Sequence, residues 1–141
     1  MSLSLAARLI LGLAGIVACA IGSAILLFPL HFYAEVLPTG ATSPSLLSDL
    51  RAAGAVVLAG GLVTLVGAFS DRFSVVAAWS SSSLYLSYGA ARLLGWLLDG
   101  PPTPTWMWAA AVELALGLAC VWVLSRSLRG RSFPSNSDAE G

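Results

Sequence analysis

Four stretches of this sequence run for 19 to 26 residues with at most one charged side chain each. A helix needs about 20 apolar residues to cross a hydrocarbon core about 30 Å thick. Leu9 to Leu30 has 22 residues and no charge, and Leu50 to Phe69 has 20 with only Arg51. Phe73 to Leu98 has 26 with only Arg92, and Trp106 to Leu124 has 19 with only Glu113. A membrane barrel requires short segments of alternating polarity, and Ala-Ala-Gly-Ala-Val-Val-Leu-Ala-Gly-Gly-Leu over 52–62 does not alternate. The pattern predicts an all-α integral membrane protein, an antiparallel four-helix bundle over 1–125.

Composition closes the other routes. Of the 141 residues, 57% are hydrophobic and 10% charged, against roughly 45–50% and about 25% in a soluble domain. That is too few charges for a water-facing surface, which excludes a soluble enzyme and a disordered chain. Seven arginines, with no lysine, balance seven acids. A neutral chain has no basic face for phosphate backbones, so nucleic acid is not a partner.

The linkers fit this plan. Ser70-Asp71-Arg72 reads as a tight turn, and Asp99-Gly-Pro-Pro-Thr-Pro-Thr105 cannot continue a helix because proline removes donors and fixes the backbone. The longer segment His31 to Asp49 carries Pro38, Gly40 and Pro44, and its beginning, His31 to Leu37, reads as a short amphipathic turn lying along the interface. Residues 126–141 read as a disordered cytoplasmic tail. Arginine sets orientation. Arg8, Arg72, Arg126, Arg129 and Arg131 gather on one side, while Glu35, Asp49 and Asp99 lie on the other. Both termini are therefore expected in the cytoplasm, with the protein multi-pass in the inner (plasma) membrane. Trp96, Trp106 and Trp108 are expected in the outer aromatic belt, Trp79 and Trp122 toward the inner one.

Several chemical readings fail on spacing. Ile16-Val-Ala-Cys19 resembles a lipoprotein cleavage box, but the apolar run continues eleven residues past Cys19, further than a signal segment extends. Counted from the inner boundary, Cys19 and Cys120 differ in depth by roughly 7 Å at 1.5 Å per residue. That is too far for a disulfide, and free thiols are expected. Gly12, Gly15, Cys19 and Gly22 form one small-residue stripe, and Ala53, Gly60, Thr64 and Gly67 another. Such stripes let helices approach in lipid; inside apolar helices they are not phosphate loops. Ser80 to Ser83 can bond carbonyls one turn back, and the sole histidine, His31, lies too far away to activate any of them. No catalytic residue, metal site or cofactor is indicated.

Ionisable groups within the spans carry the information, since an arginine or aspartate at a helix centre costs about 2.5–3.5 kcal/mol. Ser81, Tyr85, Tyr88, Arg92 and Asp99 share one face of the third span; Trp106, Glu113, Gly117 and Cys120 share one face of the fourth. Counting from the outer boundary puts Arg92 and Glu113 at roughly 9 and 12 Å, within reach of each other. Arg51 can approach from the start of the second span. Two readings follow: a structural Arg92–Glu113 clasp, or an outward-opening pocket of Arg51, Tyr85, Tyr88, Arg92, Asp99 and Glu113 for a lipid or small apolar molecule.

Ser48-Asp49-Leu50-Arg51-Ala52, Tyr88-Gly89-Ala90-Ala91-Arg92, Asp99-Gly100-Pro101 and then Glu113 together resemble a family of small bacterial membrane proteins, domain of unknown function 4345. The likeness runs from about Ala7 to Leu124. It implies a four-helix membrane protein with Arg51, Arg92, Asp99 and Glu113 as its characteristic polar residues, and no established activity. The helical plan is also similar to that of DoxX-like membrane proteins, at the level of fold alone.

The reading reached is a binding or accessory bundle in the bilayer, holding a lipid or small apolar ligand, alone or as part of a homo-oligomer or larger membrane complex. A proton-coupled oligomeric transporter is the alternative, although small multidrug transporters carry their key glutamate in the first helix, which here has no charge. A membrane enzyme is weaker still, because a lone deep acid held by arginine makes a poor general acid.

Overall fold

Serine, proline and glycine decide where each helix starts and stops. The computed structural model describes residues 3–37 and 43–129. Helix α1 (Leu5–Leu27) begins behind Ser4, whose hydroxyl accepts the Ala7 amide. It ends at Phe28, because the following proline disfavours helical backbone there. Pro29 then opens the four-residue α2 (Pro29–Phe32), followed by turns to Leu37. Helix α3 (Pro44–Phe69) has Pro44 in its first turn and Ser43 capping the Leu46 amide. Helix α4 (Ser74–Asp99) stops at Gly100, whose φ of +97° suits glycine. Helix α5 (Pro104–Arg129) follows the proline linker.

Three of these helices, α1, α3 and α5, are long and apolar enough to cross a membrane. Helix α4 matches α3 and α5 in length, but Ser74, Ser80 to Ser83, Ser87, Arg92 and Asp99 dilute it. Composition alone therefore supports three spans rather than the expected four. The expected tail is also shortened: α5 continues to Arg129, so residues 126–129 are helical. The remainder of the tail, and Pro38 and Gly40 of the long linker, lie outside the described residues.

Packing runs α1 on α3, α3 on α4, and α4 on α5, with α5 touching α1 only sparsely. Glycines set the first seam. An added Cβ on Gly15 would lie 2.7 Å from the Leu65 side chain, and one on Gly61 would lie 2.7 Å from the Cys19 amide. Gly22 meets the backbone of Leu58, and Gly54 meets Leu26. Residue numbers fall along α3 as they rise along α1, so the two helices run in opposite directions. The second stripe on α3 faces α4: Gly60 receives Leu84, Gly67 meets Ala77, and the buried hydroxyls of Thr64 and Ser81 lie 2.7 Å apart. Helix α3 thus has two small-residue faces, and the one toward α1 consists of Gly54 and Gly61 rather than of the stripe the sequence singled out. Gly12 takes no part, with nothing within 4 Å of its would-be Cβ.

One end of the molecule is closed by charge. Arg8 pairs with Asp71 at 2.9 Å, and the Leu3 amide donates to the same carboxylate oxygen at 3.0 Å. This ties the start of α1 to the α3–α4 turn. Cys19 and Cys120 are both free thiols, although the register through Gly61, Leu84, Leu86 and Gly117 brings them closer in level than depth counting suggested.

Candidate functional site

At the opposite end, leucines from α4 and α5 fill the glycine notches of the neighbouring helix. Leu114 packs on Gly89 and Leu86 on Gly117. Without side chains at those glycines the helices approach closely, and this sets Arg92 against Glu113. Arg92 Nε donates to Glu113 Oε2 at 2.7 Å. Glu113 is 9% exposed, while the Arg92 side chain keeps 24% of its surface open. The expected ion pair therefore exists.

Aromatic rings complete the end. The Arg92 guanidinium lies over Trp106, 4.5 Å from its ring centroid, a cation–π arrangement. Trp106 stacks on Tyr33 at 5.8 Å and 11°, and Phe32 meets Trp106 edge-on at 6.1 Å and 71°. Phe32 and Tyr33 reach this position because the chain breaks at Phe28 and turns back through α2. Glu35 fastens the turn by accepting from the Thr103 and Thr105 hydroxyls at 3.3 Å each. Burial lifts the Tyr33 hydroxyl above the usual tyrosine range, so it remains a donor at neutral pH.

Below this cap, where α5 stands off from α1, lies a cavity of about 80 Å³. Its walls include Ile21 and Ile25 of α1, Tyr85 and Tyr88 of α4, and the Arg92–Glu113 pair. A second, larger cleft of about 650 Å³ runs between the end of α4 and the start of α5, past Leu93, Trp96, Asp99, Met107 and Leu114. Tyr33, Arg92 and Trp106 line both spaces and form the wall between them.

Hydrogen-bonding capacity is left over at that wall. Trp106 Nε1 is buried and has no acceptor among the described residues. Neither the terminal nitrogens of Arg92 nor the hydroxyls of Tyr33 and Tyr88 make a hydrogen bond among those residues. A buried donor without a partner costs about 1–3 kcal/mol. By contrast, the Tyr85 hydroxyl is used, donating to the Ala14 carbonyl at 2.5 Å and tying α4 to α1.

The sequence profile of the family described as domain of unknown function DUF4345 matches residues 6–124. The chain belongs to this family. No curated protein and no solved structure matches it.

In this DUF4345 protein, four of the six polar residues singled out from sequence meet at one place: Tyr85, Tyr88, Arg92 and Glu113. Asp99 stands apart, exposed at the lip of the outer cleft. Arg51 is exposed on α3 and lines neither space. The last turn of α1 already rests against Gly54, so Arg51 falls beyond the level where α1 ends and stays exposed. Trp106 faces inward on the same side of α5 as Glu113, as its spacing implies, whereas Trp96 and Trp108 are exposed. Phe32 and Tyr33 were missed; their signal was Pro29, which turns the chain back after the first apolar run. Among the described residues no group of three His, Cys, Asp or Glu side chains is placed to hold a metal ion.

Proposed function

We propose that this chain is a four-span antiparallel bundle of the inner (plasma) membrane, both termini cytoplasmic, that binds a small apolar molecule or lipid at the Arg92–Glu113 pair, from the outer side. The observation that carries this reading is the surplus of unpaired donors at a wall shared by a cavity and a cleft. The cleft's volume of about 650 Å³ falls within the roughly 300–1,000 Å³ usual for ligand sites. The ion pair keeps the polar centre neutral, which suits an apolar occupant.

Support for the fourth span comes from how α4 satisfies three of its serines. Ser81, Ser82 and Ser87 donate to the carbonyls of Ala77, Ala78 and Leu84, so their hydroxyls do not require water. Orientation rests on the arginine asymmetry. A cysteine replacing Ser45, in a chain lacking Cys19 and Cys120, is expected to be labelled from outside intact cells, and one replacing Arg129 is not. Labelling at position 129 alone reverses the orientation; labelling at both breaks the four-span plan.

Native mass spectrometry of the full chain from mild detergent tests the binding reading. The expected result is a co-purifying molecule at about one per chain that is lost when Arg92 and Glu113 are both replaced. A ligand-free chain in several detergents and in lipid nanodiscs overturns it.

A further inference from the structure

The two spaces share three residues, and those residues define what a ligand must offer. Trp106 Nε1–H, the Arg92 terminal N–H groups and the Tyr33 and Tyr88 hydroxyls can all donate, and none does so among the described residues. Against them stands a single free carboxylate oxygen, Glu113 Oε1, since Oε2 already accepts from Arg92. The wall therefore has more donors than acceptors, since Trp106 and Arg92 only donate while each tyrosine hydroxyl can do either. It is also close to neutral, because Glu113 balances Arg92, and the exposed Asp99 at the cleft's lip adds a negative charge. An anionic headgroup would meet that charge without gaining a free cation.

We infer that the cleft between α4 and α5 takes a neutral, apolar molecule carrying a carbonyl oxygen, with that oxygen accepting from Trp106 Nε1–H and Arg92 at the wall. This rests on the binding reading above and names its ligand class. The apolar body lies in the cleft along Leu93, Met107 and Leu114, and the carbonyl end points to the inner cavity, whose 80 Å³ admits only a small group. Reaching the indole N–H requires the aromatic cap to shift, because the nitrogen has no open surface. Tyr33 sits on a turn held by the two 3.3 Å bonds of Glu35. A ring ketone such as a quinone and the ester of a neutral lipid share this chemistry.

Four probes with matched ten-carbon tails test the assignment on the full chain in mild detergent: decylbenzene, decyl-1,4-benzoquinone, methyl decanoate and decanoate. One-to-one occupancy is read by native mass spectrometry over a titration. At least one neutral carbonyl probe is expected to bind about three- to tenfold more tightly than decylbenzene, the range of one net hydrogen bond. Whichever of the quinone or the ester binds more tightly identifies the source. Trp106→Phe is expected to remove most of the carbonyl probes' advantage over decylbenzene measured on the same variant, and Tyr88→Phe to remove less. Equal binding of decylbenzene and both carbonyl probes overturns the carbonyl assignment but leaves the binding reading standing. Tightest binding by decanoate overturns the neutrality argument. If no probe binds one-to-one, the binding reading itself fails, and the ligand class with it.

Discussion

The α1–α3 and α3–α4 seams and the gap between α1 and α5 solve packing in opposite ways. Around α3, helices meet through glycine: Gly22 against the Leu58 backbone, Gly61 against Cys19, Gly67 against Ala77. Backbones come close at these glycines, and the buried hydroxyls of Thr64 and Ser81 close on one another. Between α1 and α5, at the end carrying α2, large rings and a charged pair span a gap instead. In lipid, burying apolar surface gains little, so close backbone contact has to hold the helices together. The glycine seams supply that rigidity, and the aromatic end is left free to stay incompletely packed and donor-rich.

The largest effect expected is at the ion pair. Arg92→Leu or Glu113→Gln strands one charge and should lower stability by about 3–5 kcal/mol, read as unfolding in detergent. Replacing both should recover much of the loss, a coupling that a double-mutant cycle measures. Purely additive losses would break the comparison, because the open end would then owe nothing to the pair.

Next in size are the seams. Gly22→Ala drives a methyl into the Leu58 backbone, which cannot move aside as a side chain can, and should cost about 1–3 kcal/mol. A wild-type melting temperature for Gly22→Ala would mean that the α1–α3 contact is looser than its geometry states.

Tyr85→Phe tests a smaller link. Its hydroxyl bonds the Ala14 carbonyl, and losing it should cost about 1 kcal/mol without changing ligand occupancy. A loss of occupancy would move Tyr85 from scaffold to site. Gly12→Ala sharpens the contrast from the other side. With open space around it, alanine should be neutral or up to about 1 kcal/mol stabilising through helix propensity.

These differences also show what a single sequence could disclose. Helix existence followed from apolar run length. The Arg92–Glu113 contact followed from depth counting across a short linker, because a tight connection leaves neighbouring helices little choice. The partners across α1 and α3 were not legible in the same way. Their connection is long, so nothing in the order of residues placed Gly54 and Gly61 against α1. The face of Trp106 was legible from its spacing to Glu113, but its partners Phe32 and Tyr33 were not, because they reach it only by folding back after Pro29. Arg51 sits at the start of its span as Arg92 sits near the end of its own; the difference is that α1 has ended before reaching it.

The sequence separation of the ion pair has a consequence for biosynthesis. Arg92 precedes Glu113 by 21 residues, so it leaves the ribosome first and waits on the least apolar of the long helices. In the four-span arrangement proposed above, α4 enters the bilayer with an unneutralised guanidinium until α5 follows. The two segments are then obliged to partition as a hairpin, and a nascent chain arrested before residue 113 holds α4 at the membrane only weakly.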